Sequence, residues 1–326
     1  MELRDAHPKF VEAGIRLYAI SYDDTGVLAA FGDDKQIPYP LLSDVDSEVI
    51  RRYGVLNDQL DESDAMLFGI PYPGVFVTNG DGVVVSKFFH DSYKKRDSPE
   101  ILIDAALGRI QLAEDAPRAS AGDEEVRVTA AIHGGKGTIR QGITRQLVVR
   151  FELRDGLHIY GEPVPEGMVP TTVTLEGPPG LVALDPIVPP AEPLHLASMG
   201  VTLPVWSGTV DIVVPFYPTG ELASEVRPLD HETVRLEANV RYQACDDDVC
   251  LLPETEKFAF DVPLDVIDVP NLGLHAGHGQ REGGFDARPH LRRLVFRKVR
   301  RNPLRLLQFV WKNAKLEWAA LGRRRG

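Results

Sequence analysis

Cysteine is nearly absent from this chain. There are two in 326 residues, Cys245 and Cys250, and none before them. No second Cys or His pair stands at finger spacing, so zinc has no ligand set, and neither a metal nor another cofactor is expected. No stretch approaches 18 apolar residues, so no transmembrane helix is visible. The first residues, MELRD, have neither a basic start nor an apolar run, so no signal peptide is written there. Basic charge is scarce outside the C-terminal tail. Residues 285–326 hold thirteen Lys/Arg against two acids, about +11, which leaves about −23 on the rest of a chain whose net charge is −12. An acidic body with a basic tail argues against general nucleic-acid binding by the folded part. The hydrophobic share of 43% is ordinary for soluble protein, and the length suggests two domains.

What is present centres on the run YQACDDDVCLLPET, residues 242–255. Upstream, Val234, Leu236, Ala238, Val240 and Tyr242 alternate with polar residues. Downstream, Phe258, Phe260, Val262 and Leu264 do the same. Period two on both sides predicts two half-buried strands with the cysteine segment at their junction. A thiol pair at the exposed end of such a hairpin can cycle between dithiol and disulfide. The alternatives are a structural disulfide, a metal site or no role. As a staple the pair is poor, because closing so short a loop constrains the unfolded chain by only about 2 kcal/mol.

Taken in order, the chain begins with alternating helices and strands. Leu3, Ala6, Phe10 and Ala13 fall at helical spacing and end at Gly14. Residues 15–21 read as a strand and 25–31 as a short helix. A further helix is expected at about 46–53, and Asn79-Gly80-Asp81-Gly82 marks a hairpin between GVFV and VVV. Ser98 is the expected N-cap of a helix reaching about Leu112. Residues 114–125 read as a linker. From Val126 about seven strands separated by Gly- and Pro-rich turns predict an antiparallel sandwich to residue 268. Residues 269–288 read as a second, Gly-rich linker, in which His275 and His278 lack further ligands. The run His133-Gly134-Gly135-Lys136-Gly137 lacks P-loop spacing and a following helix. Residues 289–326 read as a basic helical tail. Asn302 caps its second helical run, with Pro303 at the first position. Leu307, Val310, Ala314, Trp318 and Leu321 form its apolar stripe, which fits either an anionic membrane surface or a protein partner.

The run YQACDDDVCLLPET resembles the active-site segment of the N-terminal domain of the thiol:disulfide interchange protein DsbD family, and Gly156-Leu157-His158-Ile159-Tyr160-Gly161 supports the resemblance. It implies an immunoglobulin-like sandwich that passes electrons to periplasmic partners, with Cys245 and Cys250 as the redox pair. The three aspartates between them are expected to disfavour a thiolate. His158 is a candidate general base, the alternative being a hydrogen-bonded core histidine. In that family a cap loop shields the cysteines. The segment 198–206 is its expected counterpart, with Trp206 as a lid aromatic or plain core. Tyr242 and Pro73 join Trp206 as candidates for partner docking or capping.

Residues 1–113 resemble the redoxin family of the alkyl hydroperoxide reductase/thiol-specific antioxidant type, on the runs AGIRLYAISYDD, YPLLSD, EVIRRYGVL and IPYPGVFVTNGDGVV. That implies an α/β thioredoxin-like domain, with Pro73 where the fold keeps a cis-proline. The family's reactive cysteine and the central strand before it have no counterpart in these residues. The expectation is therefore a domain incomplete at its N-terminus, with a reading frame that starts upstream. The fold class expected is an α/β thioredoxin-like domain (1–113) joined to an all-β immunoglobulin-like sandwich (126–268). The function expected is a thiol:disulfide oxidoreductase or electron relay acting on thiol/disulfide protein partners. Its alternatives are a peroxiredoxin-type antioxidant whose nucleophile lies outside this chain, and a non-catalytic binding module. The DsbD-like resemblance implies an extracytoplasmic setting.

Overall fold

The computed structural model describes residues 2–59, 69–90, 95–196, 200–224, 227, 232–246, 249–266, 288–301, 303–304 and 311. The chain divides into two compact units. One is Met1–Ala116 with His133–Lys136 and Ile143–Arg145, and the other is Pro117–Ile132 with Gly137–Gly142 and Gln146–Gly326.

In the first unit α1 (Glu2–Asp5) and α2 (His7–Glu12) realise the helical spacing of the opening residues and end before Gly14, whose φ is 72°. Only Ala19–Ser21 of the expected strand is extended enough to pair. This is β1, and it runs parallel to β2 (Leu41–Ser43). Between them α3 (Thr25–Lys35) starts at Asp24, whose carboxylate accepts the N–H groups of Gly26 and Val27. The short α4 (Glu48–Arg52) is held at its start by the Asp44 carboxylate, which accepts from Val49 and Ile50. The hairpin β3 (Gly74–Thr78) and β4 (Val84–Phe89) forms at the Asn79 turn. There the Asn79 side-chain oxygen accepts from the N–H groups of Asp81 and Val83. Among the described residues β1–β2 and β3–β4 are two separate strand pairs. A two-residue strand, β5 (Arg96–Asp97), pairs with Ile143 and Thr144 and leads into α5 (Pro99–Leu107). Ser98 holds the N-cap position, but the expected capping bond is absent. Its buried hydroxyl is turned against Gly134, where an added Cβ would come within 2.6 Å of it. Ala6, Phe10, Leu102 and Ile103 form the small core of this unit, with Val75 and Phe88 of the hairpin packed on it.

The second unit is a β-sandwich. Its first strand corrects the linker expected at 114–125. β6 (Arg118–Gly122) pairs antiparallel with β7 (Val126–His133). The Asp123 carboxylate holds the turn between them by accepting from Glu125 and Val126. The strand reads as linker because the side chains that pack on the core are only Ala119 and Ala121, too small to register as a hydrophobic alternation. β8 (Ile143–Leu153), β9 (His158–Tyr160), β10 (Thr172–Glu176), β11 (Leu181–Ala183), β12 (Glu192–Leu196), β13 (Val201–Ser207) and β14 (Thr209–Pro218) follow. After the one-turn α6 (Gly220–Ala223) come β15 (Thr233–Tyr242), β16 (Ala244–Cys245) and β17 (Glu254–Pro263).

One layer has the order β11-β14-β8-β7-β6 and the other β10-β15-β17. Val128, Ala130, Leu147, Val149, Phe151, Ile212, Val214 and Phe216 from the first meet Val173, Leu236, Ala238, Val240, Phe258 and Phe260 from the second in one core. Period-two alternation puts every second residue of β15 inward, and the predicted alternation from Val234 to Tyr242 is observed. A smaller sheet, β12-β13-β9-β16, carries the cysteine segment.

The helix α7 (Arg288–Arg301) begins the basic tail. Asn302, the stripe at Leu307, Val310, Ala314, Trp318 and Leu321, and both His275 and His278 lie outside the described residues, as does nearly all of the linker expected at 269–288. Among the described residues no helix is long and apolar enough to cross a membrane.

Candidate functional site

The cysteine segment folds back on itself as a tight antiparallel turn. The Asp246 N–H donates to the Val249 carbonyl at 3.0 Å, and the Leu251 N–H to the Ala244 carbonyl at 2.9 Å. Between these two bonds Cys245 and Cys250 stand directly opposite each other. Their sulfurs are bonded at 2.03 Å, with 4.0 Å between the Cα atoms. The Asp246 carboxylate accepts the Val249 N–H at 2.6 Å and so stiffens the tip, while Asp247 and Asp248 lie outside the described residues.

The two sulfurs have unlike surroundings. Cys245 is fully buried, at 0% exposure. Its strand pairs antiparallel with β9, which sets Cys245 opposite His158 and Ala244 opposite Ile159. Side chains alternate along a strand, so Ala244 and Ile159 face the main core. Cys245, His158 and Tyr160 then share the other face. There Cys245 and Tyr160 join Leu203 and Val205 in a separate apolar cluster, walled by Leu194, Leu196, Val201, Val164 and Met168. Cys250 is exposed, and so are its neighbours Val249 and Leu252, the latter at 81%.

Gln243 anchors this arrangement. Its side-chain oxygen accepts the Val169 N–H at 3.1 Å, and its side-chain nitrogen donates to the Leu251 carbonyl at 3.1 Å. The amide thus ties the returning limb of the turn to the loop before β10. Sequence reasoning missed Gln243, because an outward polar residue after Tyr242 reads as ordinary alternation. On the buried face, His158 Nε2 and the Tyr160 hydroxyl are hydrogen-bonded at 3.0 Å, with the rings edge to face. Burial pushes the Tyr160 hydroxyl above the usual tyrosine range.

The expected cap and docking residues are placed as follows. Trp206 pairs with Ile159, lies in the main core on the face away from Cys245, and donates through Nε1 to the Pro189 carbonyl at 3.0 Å. Its placement corrects the lid reading. An odd number of strand positions separates it from Leu203 and Val205, which do flank Cys245. The expected cap segment therefore contributes a wall through β13, while Ser198 and Met199 lie outside the described residues. Tyr242 is likewise buried in the main core, edge-on to Phe151. Burial first, then the nearby carboxylates of Glu256, Glu254 and Asp123, push its hydroxyl to about 12. That is a core tyrosine, not a docking surface. Pro73 stands before β3 in the first unit. The one cis peptide bond among the described residues is Glu162–Pro163, not the bond before Pro73.

The first unit holds a buried polar cluster of its own. His133 Nε2 meets the Asp104 carboxylate at 2.7 Å. Lys9 and the Gly135 N–H both donate to Glu100, so the glycine run at 134–137 meets a carboxylate of its own chain. Burial pushes the Glu100 carboxyl up, but the Lys9 and Gly135 hydrogen bonds outweigh it and bring the pKa to about 2. Among the described residues no group of three His, Cys, Asp or Glu could hold a metal.

Two known families match separate parts of the chain. Residues 135–262 match the N-terminal domain of the thiol:disulfide interchange protein DsbD, and residues 1–87 match the AhpC/TSA family. The N-terminal part is 34% identical over 109 residues to the chloroplastic peroxiredoxin Q of Suaeda salsa, a match covering 33% of this chain and 45% of that protein. It is 33% identical over 111 residues to the chloroplastic peroxiredoxin Q of Arabidopsis thaliana, covering 34% and 45%. The chain thus spans about half the length of these curated relatives. Among solved structures, the N-terminal periplasmic domain of ScsB from Proteus mirabilis aligns at 14% identity and a TM-score of 0.30, over 45% of this chain and 50% of that one. The reduced DsbD N-terminal domain of Neisseria meningitidis aligns at 14% identity and a TM-score of 0.25, over 45% and 89%.

Proposed function

We propose that the sandwich is a thiol:disulfide oxidoreductase or electron relay whose working pair is Cys245–Cys250. The observation that carries this reading is the asymmetry of the disulfide, which joins a fully buried sulfur to an exposed one on a rigid turn. The match to the DsbD N-terminal family supports it. A partner thiolate attacks Cys250 Sγ and forms a mixed disulfide, and the bond to Cys245 breaks with the electron pair leaving on Cys245. A second partner thiolate then attacks the partner's sulfur in that mixed disulfide. The result is an oxidised partner and a dithiol in this chain, and the reverse sequence reduces a partner disulfide. The partners are thiol/disulfide proteins.

Equilibration of the full chain with a dithiol redox buffer tests the reading. A carrier is expected to have a potential between about −270 and −120 mV, whereas a value below about −300 mV marks a structural staple and returns the sandwich to a binding module. The match of residues 1–87 to the AhpC/TSA family favours a second reading, a peroxidase whose nucleophile lies outside these residues. Peroxide consumption by a longer protein, but not by this chain, is its expected result.

The basic tail is proposed to touch an anionic membrane surface. Phe296 of α7 is 70% exposed among Arg292, Arg293, Arg297 and Lys298, a pairing of apolar and basic side chains that suits a lipid interface.

A further inference from the structure

Releasing Cys245 as a leaving group raises a chemical difficulty that the exposed sulfur does not have. Cys245 is fully buried beside Leu203, Val205 and Tyr160, and a thiolate there is desolvated. A buried leaving group departs more readily when a proton reaches it as the S–S bond breaks. The side chain directly across the ladder from Cys245 is His158. In an antiparallel pair, opposite residues put their Cβ atoms about 5 Å apart on the same face, within reach of an imidazole and a sulfur.

We infer that His158 is the proton donor and acceptor for Cys245, held in place by Tyr160. This rests on the relay reading above. In the reducing direction, the partner thiolate bonds to Cys250 Sγ and the Cys245–Cys250 bond breaks. The electron pair left on Cys245 Sγ takes the proton of the His158 imidazolium. In the oxidising direction, neutral His158 takes the Cys245 S–H proton as that sulfur attacks the mixed disulfide at Cys250, and the partner leaves as a thiolate. Tyr160, two residues along β9, fixes the imidazole through the 3.0 Å bond between its hydroxyl and Nε2, and the edge-to-face rings limit rotation. Tyr160 acts through His158 and is a positioning residue.

Among the described residues, groups from three strands stand beside His158. Tyr160 lies on its own strand, Cys245 is opposite on β16 with Asp246 next along, and Ser207 is its partner on β13. Of these, Cys245 and Tyr160 share its buried face. An alternative role, a purely structural histidine bonded to Tyr160, predicts a loss of stability with no change in proton chemistry.

The test is the pH profile, between pH 5 and 9, of the rate at which dithiothreitol reduces the disulfide of the full chain, for wild type, His158→Gln and Tyr160→Phe. Wild type is expected to show a bend within this pH range. His158→Gln is expected to lose the bend and to slow at least about tenfold below pH 7, and Tyr160→Phe to keep the bend but move it. Profiles for His158→Gln and wild type that superimpose within about twofold overturn the inference. If His158→Gln fails to fold, NMR titration of the His158 ring in oxidised and reduced wild type decides instead. A shift of its midpoint between the two states supports the coupling, and identical titrations overturn it. A wild-type disulfide that dithiothreitol does not reduce at any of these pH values sinks the relay reading itself, and this inference with it. An unchanged profile on a readily reduced wild type sinks the inference alone.

Discussion

Gln243 donates to the carbonyl of Leu251 at 3.1 Å, and this bond adds a side-chain tether to the backbone bonds that hold the returning limb of the cysteine turn. The same amide accepts from the Val169 N–H. Replacing Gln243 with Ala leaves a backbone N–H and a carbonyl without their partners in a part-buried site. The expected cost is about 1–3 kcal/mol of stability in urea unfolding of the oxidised protein. Because the lost bonds tether the limb carrying Cys250, the disulfide of Gln243→Ala is also expected to be reduced faster than that of wild type.

Trp206 offers a control for the site. It lies on the far side of its sheet from Cys245, and its indole N–H is bonded to Pro189. Trp206→Phe keeps most of the ring volume and loses that bond. Stability is expected to fall by about 1–2 kcal/mol in thermal unfolding, with the rate of disulfide reduction within about twofold of wild type. A large change in the redox rate would return Trp206 to the role of a lid.

The two sulfurs are expected to separate by reactivity. In Cys245→Ser the remaining thiol, Cys250, sits exposed beside Val249 and Leu252. In Cys250→Ser the remaining thiol is buried under Leu203 and Val205. Alkylation by iodoacetamide at pH 8 is expected to be at least about tenfold faster for the first variant, since accessibility and thiolate character both favour it. Equal rates would remove the ordering of attack proposed for the pair.

Much of this was legible in the sequence wherever side chains alternate by size. The strands from Val126, Arg145, Leu157, Thr171, Thr209, Val234 and Glu256 were visible because Val, Leu, Ile and Phe mark every second position. The Cys245–Cys250 pairing was legible through resemblance and spacing. What escaped shares a physical cause, namely elements whose burial leaves no strong pattern. β6 turns only alanines inward, and β12 and β13 carry Pro193 and Pro204 directly opposite each other, so both read as breaks. The faces of the small sheet depended on the register of β9 against β13 and β16. A one-residue slip there would exchange Trp206 with Val205 as the neighbour of Cys245, and no local signal fixes that register.

Glu100 should give the first unit an acid-dependent stability. Its carboxyl lies at about 2 in the folded protein against an ordinary value of 4.5, because the Lys9 ammonium and the Gly135 N–H outweigh its burial. A folded-state pKa below the unfolded one means that the ionised carboxylate stabilises the fold. The contribution is fully present above about pH 5 and is lost as pH falls through 4.5 toward 2. Lys9 is partly exposed, so solvent screening holds the gain to no more than roughly 2–3 kcal/mol. Glu100→Gln should therefore be less stable than wild type at pH 7, and the gap should shrink steadily as pH falls below about 4.5, with most of it gone by about pH 2, as read from urea midpoints across that range. A gap that persists at the lowest pH would assign the loss to packing around the side chain instead of its charge.

The tail supplies the last test. Phe296 is largely exposed on a helix that carries Arg292, Arg293, Arg297, Lys298 and Arg300, and such a face gains both from apolar insertion and from counter-charge on lipid. The full chain is expected to sediment with vesicles containing anionic phosphatidylglycerol and not with purely zwitterionic ones, and added salt should weaken the binding. Phe296→Asp is expected to weaken it at least about fivefold, because it removes the inserted ring and places an acid against an anionic surface. The body of the chain carries about −23 and would itself be repelled, so any binding must come from the tail. Equal sedimentation with both vesicle types, or with neither, would remove the membrane from the partners of this protein and leave the helix to a protein surface.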